Sequence, residues 1–411
     1  MTDMGKKWRE ERELEAFPCI SEEEARLALR SCINRVRYNL EIMKEDFPGP
    51  ASVKGIYHGG KNRGWTTGFY TGQVWIAWEN TPDGAQREVL LKAARSQVDS
   101  FLQRIERLED VDHHDMGFLY SPSCVAAYKL TGSEAGRKAA LLAADQLIRR
   151  FQEKGEFLQA WGKMGEPDNY RFIIDCLLNL PLLYWASRET GEEKYREIAE
   201  KHIHTAMAYV IREDGSAWHT VFMNPLTGAF DHGATCQGYK DGSAWARGQA
   251  WGIYGTAVAY KYTQQEAYFG YFKKVTSYFL NHLPDDLCPF WDLTFGNGDE
   301  ADEPRDSSSA VIAACGMLEM SRYLPEEEAG YYALTARRLL KALADHYRTE
   351  EPDLPGGAQK AAGHLLHGTY SKKTPFNTCT EEGVDECLLW GDYFFMEALQ
   401  RVIKPDWEIY W

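Results

Sequence analysis

The stretch VDHHDMGFLY, residues 111–120, places Asp112, His113, His114 and Asp115 in consecutive positions ahead of an apolar aromatic run. Further along, YRFIIDCLLNL sets Asp175 among apolar neighbours on both sides. A carboxylate in such surroundings is costly unless it is paired or stays protonated. Two carboxyl groups held close together push one pKa up, which creates an acid usable near neutral pH. Asp115 and Asp175 are therefore the first candidates for acid/base chemistry. Simple helix capping is the other role open to Asp115.

His113, His114 and Asp115 also invite a metal reading. Adjacent residues on a helix point to different sides, and neither HxxxH nor HExxH occurs, so no metal is expected. His219 in SAWHT and Arg247 in SAWARGQAW complete the informative polar set. A lone histidine is usually structural. Arg247, flanked by Trp245 and Trp251, either grips an acidic substrate through its guanidinium fork or pairs with an internal aspartate. Phosphate-loop, dinucleotide and GxSxG fingerprints are missing.

The elements that must position these residues read as helices. SEEEARLALRSCINRVRYNL opens at Ser21 with Glu24 three residues on, a capping box ahead of an apolar stripe. An internal repeat follows: an apolar helix ends at Thr131-Gly132 or Thr190-Gly191, and a charged amphipathic helix starts at once. Apolar members are expected to start near Gly68, Asp115, Tyr170, Trp245, Asp306 and Asp385. Charged partners are expected at 21–45, 84–108, 133–155, 192–213, 264–283 and 325–349.

Helices that are apolar all round belong inside a ring of amphipathic ones. The pattern predicts an all-α fold, an (α/α)6 barrel of six inner and six outer helices. It is expected to form one domain over residues 1–411, with 1–20 as an N-terminal extension. Polar and aromatic clusters such as GWTTGFYTG, DHHDMGF and DGSAWARGQAW sit at the inner-helix starts, which would meet at one mouth. The long loops 214–244 and 350–386 lie at the same end, so a cleft is expected there.

Composition narrows the partners. Acidic residues outnumber basic ones 61 to 46, a net charge of −15, which disfavours nucleic acid. The N-terminus lacks the apolar run of a signal peptide and no membrane span is expected, so the chain reads as cytoplasmic. Nine scattered cysteines without a CxxC form neither a disulfide framework nor a thiolate zinc site. Thirteen Trp and 23 Tyr suit either an aromatic core or a sugar-lined cleft.

Four blocks in order carry a resemblance: VDHHDMGFLYSPS, YRFIIDCLLNLPLL, SAWARGQAWGIYG and WGDYFFMEAL. From about Trp65 to Trp411 the chain resembles the unsaturated glucuronyl hydrolases, glycoside hydrolase family 88. The resemblance implies the same barrel and removal of the terminal 4,5-unsaturated uronic acid from oligosaccharides released by polysaccharide lyases. It implies no cofactor and no metal; the chain is expected to be a monomer or homodimer. Asp175 matches the family's general acid/base and Asp115 its essential partner. His114, His219, Gln237 and Arg247 match positions that contact the sugar or its carboxylate, and Tyr70, Trp161 and Trp251 match aromatic pocket positions.

Two places depart from members that accept sulfated glycosaminoglycan disaccharides. Where those carry Arg before the Gln of QGY, this chain has Cys236, and its 371–383 segment reads SKKTPFNTCTEEG. Lys372 and Lys373 are the candidates to replace the lost charge. An unsaturated rhamnogalacturonyl hydrolase and a non-catalytic sugar-binding barrel are the alternative functions.

Overall fold

The structure, a computed structural model, describes residues 14–296, 302–349 and 360–411. Residues 1–13 of the expected extension and 350–359 of the long loop lie outside them. Among the described residues the helices alternate as the sequence pattern predicts. The outer ones are Glu22–Met43, Ala85–Glu106, Glu134–Ile148, Glu193–Val210, Glu266–Asn281 and Glu326–His346. The inner ones are Thr67–Glu79, 116–131, Pro181–Thr190, Ala246–Thr263, Ser307–Met320 and Leu389–Ile403. None is long and apolar enough to cross a membrane.

Local chemistry sets several boundaries. The Ser21 hydroxyl accepts from the Glu24 N–H while the Glu24 carboxylate accepts from the Ser21 N–H, completing the capping box. Gly132 and Gly191 end their helices in the left-handed conformation, with φ of 68° and 77°. Within 116–131 the inner helix widens into a π turn over Ser121–Val125, where Pro122 has no N–H for the regular ladder.

The inner helices, with the 174–180 segment that leads into the third, touch through a glycine at every seam. Gly68 meets Phe118, Gly117 meets Asn179, Gly255 meets Leu177, Gly316 meets Tyr254, Gly391 meets Ser308 and Gly72 meets Tyr393, which closes the ring. A Cβ on Gly68 would lie 2.2 Å from the Phe118 carbonyl oxygen, and one on Gly117 2.3 Å from the Asn179 Cα. No side chain fits at either place. Along the axis, Trp65, Phe118, Trp251, Phe394 and Trp411 form a column of rings 5.1–5.7 Å apart. The aromatic richness therefore serves core and cleft together.

The third and sixth inner helices start later than expected. The run Arg171–Ile173, placed at the head of the third helix, is a strand paired with Thr220–Met223, itself paired with Phe230–Ala234. Its aromatic and branched side chains suit a sheet, and a 3-10 turn, Ile174–Leu178, then leads to Pro181, whose missing N–H costs nothing in the first turn. Asp385 likewise precedes its helix, because 382–386 form bridges to Ser371 and Gly368 ahead of Leu389. The described part of the N-terminal extension is anchored: Arg337 donates to the Ile20 carbonyl and Arg338 to that of Phe17.

These contacts predict that Gly117→Ala, by forcing two backbones apart, lowers stability by about 1–3 kcal/mol. A fall in Tm with a loss of activity is expected; an unchanged Tm would contradict the tight seam.

Candidate active site

The inner-helix starts and the long loops surround a cleft of about 550 Å³. Asp115 stands at the head of the 116–131 helix, but its side chain caps nothing. Freed from that role, it turns toward its neighbour. The His114 Nε2 lies 3.3 Å from Asp115 Oδ1 and 3.5 Å from Asp175 Oδ1. All three groups offer a donor atom within 4.8 Å of the others.

Backbone contacts hold this cluster. The Asn179 side chain accepts from the Phe118 N–H at 2.8 Å and donates to the Asp175 carbonyl at 3.3 Å, joining the two segments. The His114 N–H donates to the Ala160 carbonyl at 2.8 Å. Asp112 pairs with Arg150 at 2.7 Å, and His113 bonds the Asp110 carbonyl, so these two serve the local turn. His113 also borders the cleft, and its Nδ1 lies 3.1 Å from Asp115 Oδ2.

The two carboxyls differ electrostatically. Burial, followed by the Asp115 charge, pushes Asp175 well above its ordinary value, and Arg247 only partly offsets this. For Asp115, burial opposes the charge, yet His114, His113 and Arg104 outweigh it and hold the carboxyl below its ordinary value. The surroundings therefore favour the protonated form of Asp175 and the ionised form of Asp115. Burial lowers His114 to about 4, so the ring is neutral near pH 7.

His219 is also neutral, lowered to about 3 by burial and then by Arg247. Its Nδ1 accepts from the N–H groups of Cys236 at 2.9 Å and Gln237 at 3.2 Å. The ring proton is thereby placed on Nε2, and the ring packs on Trp245 with centroids 4.3 Å apart.

Arg247 is sandwiched between Trp245 and Trp390, 4.3 and 4.9 Å from the ring centroids. It donates to the carbonyls of Thr369 at 2.7 Å and Tyr370 at 2.6 Å, with Asp306 3.4 Å away. The Gln237 side chain donates to the same Tyr370 carbonyl at 3.0 Å. The internal aspartate left open in the sequence is thus Asp306. Both residues fasten the 360–388 segment across the mouth, while each also lines the cleft.

The cleft gathers Asp115, Asp175, His114, His219, Gln237, Arg247, Trp161 and Trp251. Tyr70 is not among its lining residues. It lies buried in Thr67–Glu79 with its ring 6.3 Å from Phe47, on the outward side of the inner helix. Trp65, Tyr370, Glu382 and Asp110 line the cleft and were missed. For Trp65 the signal was its place in GWTTGFY; for Tyr370 and Glu382 only the folded loop reveals it. Contrary to the helical-spacing expectation, the HHD residues do converge, because Asp115 precedes the helix.

The Glycosyl Hydrolase Family 88 profile matches residues 45–394. The chain belongs to this family. It is 45% identical over 396 residues to an unsaturated chondroitin disaccharide hydrolase of Streptococcus pneumoniae, covering 96% of this chain and 95% of that one. An unsaturated glucuronyl hydrolase of Bacillus sp. (strain GL1) is 38% identical, with 89% and 93% coverage. The crystal structure of the Streptococcus agalactiae unsaturated glucuronyl hydrolase superposes with a TM-score of 0.92 at 40% identity, covering 99% and 98% of the two chains. A variant of that enzyme, solved in complex with dGlcA-GalNAc6S, gives 0.84 at 37% identity, again with 99% and 98% coverage. The barrel expected from the helix pattern is the fold these family members share.

If Asp115 raises Asp175, then in Asp115→Asn the Asp175 carboxyl titrates at lower pH. The alkaline fall of the residual rate should move acidwards by roughly one pH unit or more. An unshifted profile would separate the two groups.

Proposed function

We propose that this family 88 glycoside hydrolase removes the terminal 4,5-unsaturated glucuronic acid from glycosaminoglycan-type disaccharides released by lyases. The observation that carries this reading is the meeting of Asp115, His114 and Asp175 in a tryptophan-lined cleft, where Asp175 is pushed above and Asp115 held below the ordinary carboxylate value. The names and bound disaccharide of the streptococcal relatives support the same substrate class. A cytoplasmic location and a single catalytic domain are part of the proposal.

The C4=C5 bond of the substrate, conjugated with the ring oxygen, is a vinyl ether. Asp175 gives its proton to C4, and positive charge spreads over C5 and the ring oxygen. Water adds at C5 and returns a proton to the Asp175 carboxylate, leaving a hemiketal. Breaking the C5–O bond makes a ketone at C5 and a hemiacetal at C1, which collapses to an aldehyde and releases the aglycone hydroxyl. No group attacks C1 directly, so the carboxylate-separation rule for retaining and inverting hydrolases does not apply. Asp115 keeps Asp175 protonated at rest, and the fixed His219 Nε2–H and neutral His114 supply polar contacts for the sugar. Trp161 and Trp251 offer apolar faces to the rings.

Turnover is followed as loss of the ultraviolet absorbance of the unsaturated ring. Asp175→Asn should lower the rate by about 10²–10⁴-fold, as expected for a lost general acid. Retained turnover in that variant would sink the mechanism. Chelator treatment should leave the rate unchanged, and a chelator-sensitive rate that added divalent ion restores would favour a metalloenzyme.

A further inference from the structure

Cys236 and Cys379 have no part in the chemistry above. The lysines expected to offset the charge missing at Cys236 are engaged elsewhere: Lys372 pairs with Glu303 at 2.6 Å, and Lys373 donates to the Asn377 carbonyl at 2.6 Å. What folding brings beside Cys236 is instead a second thiol. The Cys379 N–H donates to the Cys236 carbonyl at 3.2 Å, and both residues line the cleft. Around this bond the 374–379 run lies antiparallel to 236–239. The Thr374 hydroxyl donates to the Tyr239 carbonyl at 2.8 Å, and the Asn377 side chain to that of Gly238 at 2.9 Å. Residues opposed across an antiparallel bond have Cα atoms about 5.5 Å apart and side chains on one face. A disulfide spans roughly 4.4–6.8 Å between Cα atoms, so this pair is within reach of one. Among the described residues no other two cysteines share a backbone bond.

The thiols are unequally placed. Cys236 is half-buried at the cleft surface, where its charge as a thiolate acts on the Arg171 guanidinium. Cys379 is buried, its thiol donating weakly to the Lys372 carbonyl at 3.4 Å and to the Asn377 Oδ1 at 3.5 Å. An oxidant entering the cleft therefore meets Cys236 first, with Cys379 bonded beside it. Cys124, Cys176, Cys288, Cys315 and Cys387 are buried, and burial pushes each of their thiols up, which keeps them inert.

We propose that Cys236 and Cys379 form a reversible oxidation site, a dithiol that peroxide closes into a disulfide on the cleft wall, slowing turnover. The Cys236 thiolate attacks one oxygen of hydrogen peroxide; the O–O bond breaks, giving a sulfenic acid and hydroxide. The hydroxide takes up the proton that Cys236 gave up. The Cys379 thiol then attacks the sulfenic sulfur, forms the S–S bond and expels water. Two thiols and one peroxide thus give one disulfide and two waters, and a dithiol reductant reverses the bond. The effect reaches the site through the backbone, because the N–H groups of Cys236 and Gln237 hold His219 Nδ1 at 2.9 and 3.2 Å.

The test treats the full chain with hydrogen peroxide, alkylates the remaining thiols and reads the digest by mass spectrometry. The expected product is a peptide pair linked through Cys236 and Cys379 within one chain, which dithiothreitol separates. Cys236→Ser should give no link, and Cys379→Ser should leave Cys236 as a sulfenic acid that dimedone traps. Turnover should fall by about tenfold to a hundredfold as the link forms, and dithiothreitol should return it. Links between other cysteines, a wild-type chain that stops at the Cys236 sulfenic acid, or thiols untouched by peroxide would each overturn the assignment. So would a link that leaves turnover undiminished. The link is read covalently, so a linked chain whose reduced form turns over no unsaturated disaccharide would refute the proposed reaction and leave the oxidation site standing.

Discussion

A closed ring of inner helices requires neighbouring backbones to come closer than side chains allow. Each seam in this barrel carries a glycine, and at Gly68 and Gly117 even a methyl group would collide with the next segment's backbone. The consequence reaches beyond packing. Gly117 lies two positions from Asp115, and the backbone it touches is that of Asn179, four residues beyond Asp175. The carboxyls can meet because the chain segments that carry them meet first.

Once together, they create the electrostatics of the site. Burial removes the water that would stabilise two charges, so one proton stays. Which carboxyl keeps it follows from asymmetric surroundings. Asp115 has two histidine rings and Arg104 near it, while for Asp175 burial and the Asp115 charge outweigh Arg247 and the backbone hydrogen bonds. Identical chemical groups are thus driven in opposite directions, Asp175 toward the protonated form and Asp115 toward the ionised one.

The mouth depends on a second buried arrangement. Arg247, clamped by two indoles and by Asp306, holds the carbonyls of Thr369 and Tyr370, and Gln237 adds a third bond. Asp392 secures the same segment nearer its start by accepting from the His364 and Leu365 N–H groups. The long 360–388 connection is therefore a wall of the cleft with defined donors behind it. Tyr370, Ser371, Thr378, Thr380 and Glu382 of this segment line the cleft.

Much of this was legible in the sequence. Helical periodicity and the Thr-Gly turns reveal the alternation of rings, since a helix buried on all sides must be apolar all round. Asp175 stood out because an acid amid IIDCLL demands an explanation. Periodicity could not reveal that RFI is a strand, because its partner Thr220–Met223 lies far along the chain and pairing energy is not local. Nor could it show that Tyr70 turns away from the cleft or that Arg247 binds carbonyls. The sequence by itself determined which segments are buried and which residues can exchange protons, because composition and period act locally. Only the tertiary structure decided which atoms face one another, because burial, charge and hydrogen bonding depend on distances between segments that the chain brings together only on folding.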